Sequence, residues 1–305
     1  MEPEISIVIP TQRRPEPLAR AMRSAFAQTG VETRLIELVV VDNDQIPSAR
    51  EAVNALATEA PFPVVYVHEP RAGVAYARNA ALARCQGRFI AFLDDDEEAP
   101  PAWLAALTAA MARFKADVVF GAVKARAPET VRQHRDYLEK FFSRNGPTEA
   151  SVIEDYYGCG ASLIRRASLP DPVAPFSMER NFIGGEDDML FGQMQKAGAV
   201  FAWSPEAWVW EDPAPSRLSL RYTIARAFAY GQGPSEHCAV TRNYLGIARW
   251  MAVGLVQGVV FSLIAAAKWL VRAPDRAEAL DRAARGFGKT FWGKPFKIEF
   301  YGRTA

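Results

Sequence analysis

Cysteine and histidine are scarce in this sequence, with three residues of each among 305. The cysteines, Cys85, Cys159 and Cys238, are odd in number and widely spaced, and no CxxC pair occurs. They predict no disulfide framework, and a reducing compartment fits them best. The three histidines are isolated from one another and form no HExxH pair, so they give no ligand set for zinc hydrolase chemistry.

An excess of charge of one sign is also missing, because the formal net charge is +1. We therefore predict no nucleic-acid partner. The N-terminal residues MEPEISIVIP lack the basic segment and long apolar run of a secretion signal, so we expect the first domain to lie in the cytosol. No stretch matches a Walker loop, and GCGASL is an incomplete dinucleotide fingerprint, so ATP and NAD are not indicated.

Apolar residues make up 50% of the chain, and many fall in short β-branched runs that alternate with helix-like stretches. The runs are residues 5–9, 35–41, 63–67 and 88–93, and the helix-like stretches are residues 15–28, 48–59 and 72–84. This alternation predicts an α/β fold, with a Rossmann-like, open, mostly parallel sheet that carries helices on both faces. In such sheets, ligands bind at the carboxyl ends of the strands. Asp42 closes the second run and Asp94–Asp96 close the fourth, so one edge gathers acids.

The stretch RFIAFLDDDEEAPPAWL, residues 88–104, places five adjacent carboxylates directly after an apolar strand. Like charges at this density need a cation or hydrogen-bond donors. Asp94 and Asp96 can face the same side of an extended or turn backbone, and two such oxygen ligands suit Mg²⁺ or Mn²⁺ bound to a diphosphate. The simpler interpretation is that these acids cap the helix that begins near Pro100.

A second acidic group, GGEDD, begins a helix that Gly198 ends. Asp187 lies on the same helical face as apolar residues that should turn inward, and an inward carboxylate needs a partner or a function. We predict that Asp187 is a general base, with Gly185 and Glu186 on the acceptor side. The simpler interpretation is that helix N-termini favour acids in any case.

Two arginines in RAGVAYARNAAL, Arg71 and Arg78, are candidates for contact with a phosphate, although either one alone would more commonly be a surface arginine.

Six ordered motifs together resemble family 2 glycosyltransferases of the GT-A fold, over about residues 4–230. They are ISIVIPTQRRPEPL, ELVVVDND, GVAYARNAAL, FIAFLDDDEEAPPAWL, GCGASLIRRASL and GGEDDMLFGQMQKAG. The resemblance implies a nucleotide-sugar donor, a divalent metal (Mn²⁺ or Mg²⁺), and inversion at the anomeric carbon.

The resemblance also implies roles for individual residues. It places Pro10, Thr11 and Arg13 beside the nucleotide, Asp42 on the base, Asp94 and Asp95 on ribose and metal-diphosphate, Asp96 on the metal, and Asp187 as the base. The sequence departs from the family where Asp42-Asn43-Asp44-Gln45 replaces Asp-Asp-Gly-Ser. It departs again where Glu211 and Asp212 stand in place of a histidine. Glu211 either completes the metal shell or is a strand-end acid.

We expect a catalytic domain over residues 1–235 and a helical, membrane-associating region over residues 236–305. Residues 250–267 hold no formal charge, and basic residues flank both ends. This pattern favours a helix in the membrane interface or a re-entrant hairpin, with the basic tail (Arg282 through Arg303) on anionic lipid. The alternative is a buried helix packed on the catalytic domain. The expected location is cytoplasmic, peripheral or integral at the inner face of the cell membrane.

The predicted function is metal-dependent, hexosyltransferase-like transfer to a hydroxyl of a glycan or glycolipid acceptor in polysaccharide or glycolipid synthesis. One alternative is a nucleotidyltransferase, which would release pyrophosphate and would be expected to carry a Gly-rich basic N-terminal loop. PTQRRPEP is basic but has no glycine. The other alternative is a non-catalytic, membrane-attached binding protein.

Overall fold

The computed structural model describes residues 3–180 and 185–298, which divide into two compact units. The first unit contains residues 3–124, 143–180 and 185–212, and the second contains residues 125–142 and 213–298. The predicted boundary at residue 235 lies within a helix of the second unit, and as a functional boundary it stays a prediction.

Nine strands within the described residues form one sheet. They are β1 (Ile5–Thr11), β2 (Ile36–Asp42), β3 (Val64–His68), β4 (Phe89–Phe92), β5 (Glu97–Glu98), β6 (Val118–Ala125), β7 (Ser151–Ile153), β8 (Ser162–Arg165) and β9 (Phe201–Glu211). Their order is β3-β2-β1-β4-β8-β6-β9-β5, and β7 pairs with β9. The first four are parallel, whereas β8 pairs antiparallel with β4 and β6, and β9 pairs antiparallel with β5 and β7. The predicted α/β class is confirmed. The expectation of a mostly parallel sheet is corrected to a mixed sheet, because the pairings β4–β8, β6–β8, β5–β9 and β7–β9 are antiparallel.

In the first part of the chain, the α-helices alternate with the strands as predicted. They are α1 (Pro15–Phe26), α2 (Arg50–Ala57), α3 (Val74–Leu82), α4 (Trp103–Phe114), α5 (Arg135–Phe142), α6 (Glu186–Lys196), α7 (Leu220–Val240), α8 (Tyr244–Leu270) and α9 (Arg276–Thr290). Helices α5, α7, α8 and α9 belong mainly or wholly to the second unit.

Each face of the sheet has its own buried core, because alternate residues of a strand point to opposite faces. Ile7 of β1 and Leu38 of β2 pack with residues of α1, α2 and α4 on one face. Val8 and Val39 pack with residues of α3 and α6 on the other face. Helices therefore cover both faces, as predicted, and the two cores fix the carboxyl edge of the parallel strands between them.

In the second unit, α9 packs against both α7 and α8. The approach of α8 to α9 requires glycine, because a Cβ at Gly254 would lie 2.5 Å from the carbonyl oxygen of Gly286. Helix α8 buries few of its residues and exposes large apolar side chains, including Leu255, Val256 and Leu263. It is the one helix of the described chain that is long and apolar enough to cross a membrane, as judged by length and composition.

Candidate active site

The carboxyl ends of the parallel strands bring the predicted donor residues to one edge of the sheet. Strand β1 ends at Thr11 and β2 ends at Asp42, and these two residues are direct register partners. The acidic run begins two residues after β4. The Thr11 hydroxyl donates a hydrogen bond of 2.8 Å to Asp95 Oδ2, so the acids after β4 reach the end of β1. The predicted gathering of acids at this edge is what the structure shows.

We call Asp94, Asp95, Asp96 and Glu97 the strand-end cluster. Arg14, at the start of α1, lies between two of its members, with Nη1 2.9 Å from Asp95 Oδ1 and 2.8 Å from Asp96 Oδ2. Burial raises the pKa of Asp95 to about 6, against the opposing effect of Arg14. The sequence analysis missed Arg14, although its position just after β1 and just before a helix was a usable signal.

Asp94 is the most open of the three aspartates, with 37% of its side chain exposed, compared with 9% for Asp95 and 13% for Asp96. Burial raises the pKa of Asp94, and Arg78 opposes that effect. Glu97, also missed by the sequence analysis, is buried and accepts hydrogen bonds from the backbone N–H groups of Asp94 (2.9 Å) and Ala161 (3.2 Å). Burial raises the pKa of Glu97 well above its usual range, and Asp94 adds to the increase.

We call Glu186, Asp187 and Asp188 the helix-start cluster, because they form the first turn of α6. Gly185 precedes them with a φ of +84°, a left-handed conformation that favours glycine. The other glycine of the predicted pair, Gly184, lies outside the described residues. The prediction that α6 turns its apolar side inward is confirmed, since Leu190, Phe191 and Met194 are buried.

A single buried guanidinium joins the two clusters. Arg78 of α3 donates from Nη1 to Glu186 Oε1 at 2.7 Å, and its Nη2 lies 3.8 Å from Asp94 Oδ1. The Arg78 and Glu186 side chains are each 6% exposed, so their contact is shielded from water, whereas Asp94 is partly open to solvent. Burial lowers the pKa of Arg78, but the surrounding acidic groups, Cys159 first and then the carboxylates, raise it more. The two acidic groups of the sequence therefore converge on one site.

A second link between the clusters is the segment Gly158–Gly160, which we call the glycine strap. Asp187 Oδ2 accepts a long hydrogen bond of 3.4 Å from the Cys159 N–H, and Asp187 Oδ1 accepts one of 3.0 Å from the Asp188 N–H. A Cβ at Gly158 would lie 3.1 Å from Asp187 Oδ2. A Cβ at Gly160 would lie 2.6 Å from Glu97 Oε1 and 2.9 Å from Asp94 Oδ2. The strap therefore passes between the two clusters in contact with both.

Asp42, predicted to contact the nucleobase, is fully buried and has partners within its own chain. Its Oδ2 accepts hydrogen bonds of 2.7 Å from the Ala49 N–H and 2.7 Å from the Tyr66 hydroxyl. Arg13 makes a two-pronged bond to Asp44, with Nε–Oδ2 at 2.9 Å and Nη2–Oδ1 at 2.7 Å. The Arg13 hydrogen bonds lower the pKa of Asp44 to about 2.

The other predicted donor residues also lie at this edge. Pro10 is half-buried near the end of β1. Arg71 is mostly exposed and makes a two-pronged bond to Glu69, with Nε–Oε1 at 2.8 Å and Nη2–Oε2 at 2.7 Å. Asn43 holds the loop between β3 and α3. Its Nδ2 donates to the Arg71 carbonyl at 2.7 Å, and its Oδ1 accepts from the Gly73 N–H at 2.7 Å.

Glu211, the third predicted metal ligand, lies at the end of β9 directly opposite Glu97 in the strand register. Among residues 3–180 and 185–298, no group of three or more His, Cys, Asp or Glu side chains is arranged to hold a metal ion. The oxygen donors of Asp94, Asp96 and Glu211 have the chemistry that Mg²⁺ and Mn²⁺ prefer. The donor chemistry of these carboxylates, rather than their present arrangement, therefore fits a hard cation.

Comparison with known proteins agrees with this geometry. Residues 6–170 match the glycosyl transferase family 2. The chain is 38% identical over 229 residues to the succinoglycan biosynthesis protein ExoM of Rhizobium meliloti (strain 1021), covering 75% of this chain and 73% of ExoM.

Two solved structures share the fold. The mannosyltransferase PcManGT from Pyrobaculum calidifontis, in complex with GDP-Man and Mn²⁺, superposes with a TM-score of 0.63 at 19% identity, over 96% of this chain and 88% of that one. S. aureus TarS 1-349, in complex with UDP-GlcNAc, superposes with a TM-score of 0.53 at 17% identity, over 94% of this chain and 90% of that one.

The sheet, its acidic carboxyl edge and the facing helix-start carboxylates define an enzyme of the GT-A class, which transfers sugars. Within that class, the chain belongs to glycosyl transferase family 2. The resemblance found from the sequence motifs is confirmed, and membership of this family decides against the nucleotidyltransferase alternative.

Proposed function

We propose that the protein transfers a sugar from a nucleoside diphosphate sugar to a hydroxyl group of a growing polysaccharide or glycolipid, with inversion at the anomeric carbon. The observation that carries the proposal is the convergence of the two acidic clusters through Arg78. The printed name of ExoM supports a role in polysaccharide synthesis. The GDP-Man and UDP-GlcNAc complexes of the structural neighbours support a nucleotide-sugar donor.

In the proposed reaction, Asp187 accepts the proton of the acceptor hydroxyl. The acceptor oxygen then bonds to the anomeric carbon while the carbon–oxygen bond to the diphosphate breaks, and the nucleoside diphosphate leaves with the bonding electrons. Attack from the face opposite the leaving group inverts the configuration. Asp187 is half-buried at the start of α6, so it is partly shielded from water while an acceptor can still reach it.

Glu186, which the sequence analysis placed on the acceptor side with Gly185, is buried and bonded to Arg78. We propose that Glu186 positions the start of α6 through Arg78, and that the backbone at Gly185 lines the acceptor side. Gly185 has no side chain, and it adopts the left-handed conformation that this turn requires. The turn therefore gives an acceptor room to approach Asp187.

On the donor side, we propose that Pro10, Thr11, Arg13 and Arg71 line the nucleotide site. Arg78 acts on the donor indirectly, through Asp94. Asp42 and Asp95 shape the donor site from within, because both are buried and hydrogen-bonded to neighbouring strands or loops.

We propose that Asp94, Asp96 and Glu211 hold Mn²⁺ or Mg²⁺ together with the donor diphosphate. When bound, such an ion neutralises the charge that develops on the leaving diphosphate. Arg14 bonds to Asp96 and already places a positive charge beside this site, so Arg14 competes with the ion for that carboxylate. Metal affinity measured by calorimetry should therefore be higher in Arg14→Gln than in the natural protein.

The test of the proposed function has two stages. Thermal shifts of the full-length protein with UDP-, GDP- and dTDP-sugars, each with and without Mn²⁺, identify the donor. Transfer to oligosaccharide acceptors is then followed by release of nucleoside diphosphate and by NMR of the new anomeric centre. We expect nucleoside diphosphate and an inverted linkage. Release of pyrophosphate, or a linkage that retains the donor configuration, would contradict the proposal.

We further propose that α8 lies in the interface of an anionic membrane. Gln257, the polar residue at its middle, turns towards α9, where Nε2 donates to the Arg282 carbonyl at 3.0 Å and Oε1 accepts from Lys289 Nζ at 2.8 Å. The outer side of α8 therefore stays apolar, and exposed arginines, Arg249 and Arg272, flank it. Within α8, 17% of an apolar stretch of 18 residues is buried. This small fraction disfavours the alternative of a buried core helix.

Flotation of the full chain with lipid vesicles tests this proposal. We expect the protein to float with vesicles that contain phosphatidylglycerol, and less with phosphatidylcholine alone. The double substitution Leu255→Asn and Leu263→Asn should abolish flotation with an unchanged melting temperature, because both side chains are exposed. A natural protein that remains unbound to either vesicle would refute membrane attachment.

A further inference from the structure

Arg144 makes an unusual set of contacts beside the active site. Its Nε donates to the Gly121 carbonyl at 3.0 Å, its Nη1 donates to the Gly158 carbonyl at 2.8 Å, and its Nη2 donates to the Gly160 carbonyl. The guanidinium thus ties both ends of the glycine strap to β6. Because a guanidinium presents its donors in a rigid planar fork, these bonds fix the orientation of the strap as well as its position.

The strap needs to be held because it has almost no space on either side. Gly158 lies so close to Asp187, and Gly160 so close to Glu97 and Asp94, that a Cβ at either glycine would crowd these carboxylates. The next residue, Ala161, has a φ of +50°, a left-handed conformation that is uncommon for a residue with a side chain. Such a conformation is strained for a residue with a side chain, and it persists where surrounding contacts impose it. The Ala161 N–H and carbonyl are both bonded, to Glu97 and to the Gly121 N–H.

Arg144 also carries charge into an acidic part of the molecule. Burial lowers the pKa of Arg144, and Glu97, Asp94 and Glu211 oppose that effect. Guanidinium groups remain protonated in proteins, so Arg144 supplies a fixed positive charge near these carboxylates. A lysine at this position would keep the charge but lose the fork geometry, which makes the two contributions separable.

We propose that Arg144 is a positioning residue for sugar transfer: by holding both glycine carbonyls of the strap, it sets the separation between Asp187 and the carboxylates of Asp94 and Glu97. In this role Arg144 acts through the strap, by way of the Gly158 and Gly160 carbonyls. This inference rests on the proposed role of Asp187 as the base. It predicts that loosening the strap lowers the rate of transfer even when the protein stays folded.

The chain provides a matched control in Arg166. Its Nη2 donates to the Leu82 carbonyl at 3.1 Å, its Nε donates to the Pro172 carbonyl at 3.3 Å, and its Nη1 donates to the Cys85 carbonyl. Arg166 is thus another arginine that fixes three backbone carbonyls, and those carbonyls belong to segments outside both acidic clusters. A role confined to stability would make Arg144 and Arg166 equivalent.

The experiment compares Arg144→Lys with Arg166→Lys in the full-length protein, and measures kcat, the donor KM and the melting temperature. We expect both substitutions to lower the melting temperature by similar amounts. Arg144→Lys should also lower kcat by about 10- to 100-fold, since small misplacements of reacting groups have effects of that size. Arg166→Lys should leave kcat unchanged, because the carbonyls that Arg166 contacts lie outside both acidic clusters. Equal kcat values for the two variants would overturn the proposal.

Two glycine variants test the strap without removing Arg144. A methyl group at Gly158 meets Asp187, so Gly158→Ala should lower kcat with little change in donor KM. A methyl group at Gly160 meets Glu97 and Asp94, so Gly160→Ala should raise donor KM. Combining Arg144→Lys with Gly158→Ala should give less than the summed effect on kcat, because both act through one segment. Fully additive effects, or no split between kcat and KM, would count against the strap.

Failure of this inference is distinguishable from failure of the proposed function. If Asp187→Asn abolishes transfer while Arg144→Lys has full kcat, then the base assignment survives and the positioning role is refuted. If Asp187→Asn transfers normally, then the base assignment is refuted, and the positioning role of Arg144 falls with it.

Discussion

The two acidic clusters of the active site hold their charges in different ways. In the strand-end cluster, Asp95 and Asp96 share the guanidinium of Arg14. In the helix-start cluster, Glu186 is bonded to Arg78, whereas Asp187 accepts hydrogen bonds from two neutral backbone N–H groups. An arginine partner favours the ionised form of a carboxylate, which suits a group that balances positive charge. A carboxylate held by neutral donors can gain a proton while those donors keep their positions, which suits a base.

Removing Arg78 tests the comparison most severely, because this residue contacts both clusters. Arg78→Met leaves Glu186 buried without its cation, and breaking a buried ion pair in this way costs about 3–5 kcal/mol of unfolding free energy. Glu186→Gln should be less harmful, since the amide still accepts a hydrogen bond from Arg78. Urea unfolding of the two single variants and the double variant should show an interaction energy of about 1–3 kcal/mol. Additive losses would mean that Arg78 and Glu186 are not coupled energetically, which would remove the link from Arg78 to the helix-start cluster.

Asp96→Asn tests the charge-balancing role of the strand-end cluster. Losing this carboxylate weakens the stabilisation of the leaving diphosphate, and we expect kcat/KM to fall by about 100- to 1000-fold. The dependence of the melting temperature on Mn²⁺ with donor should disappear at the same time. Glu98→Gln, two residues further on and outside the cluster, is the control and should retain the Mn²⁺ response. Retention of that response in Asp96→Asn would remove this residue from the metal site.

Arg13→Gln extends the comparison to Asp44, a carboxylate at the same edge of the sheet that is paired with Arg13. The folded-state pKa of Asp44 is lowered to about 2 from a usual value of 3.8, mainly by Arg13. A lowered pKa stabilises the folded protein above about pH 4, and that contribution is lost as the pH falls towards 2. The natural protein should therefore be more stable than Arg13→Gln at pH 6, with the difference shrinking between pH 4 and pH 2. Urea midpoints across that range provide the measurement, and a difference independent of pH would contradict it.

The strands and helices up to residue 120 were predictable from the sequence because each core face has a clear pattern of apolar residues. Alternation of strand and helix predicted β1 to β4 in parallel, and the position of Asp42 and Asp94–Asp96 after those strands predicted the acidic edge. The later strands were harder to predict, because β7 and β8 are three and four residues long and pair antiparallel with distant segments. Their order in the sheet is set by tertiary contacts that no local pattern records.

The groups that connect the site were less predictable than the acids themselves. Arg78 was expected to face a phosphate, but the structure places it between Asp94 and Glu186. Arg14, Glu97 and Arg144 were missed because most of their partners are far away in sequence. Five of those partners are backbone carbonyls or N–H groups, which every residue has. Residue type identifies a possible charge, whereas the pairing of charges depends on how the chain folds.

The most direct test of the account is a comparison of Asp187→Asn with Asp188→Asn. Both substitutions remove one negative charge from the first turn of α6, so their effects on the helix terminus should be similar. We expect Asp187→Asn to lower kcat by at least about 100-fold with donor affinity unchanged, as loss of a general base does, and Asp188→Asn to stay within about tenfold of the natural protein. Full transfer activity in Asp187→Asn, or equal losses in the two variants, would contradict the assignment of the base.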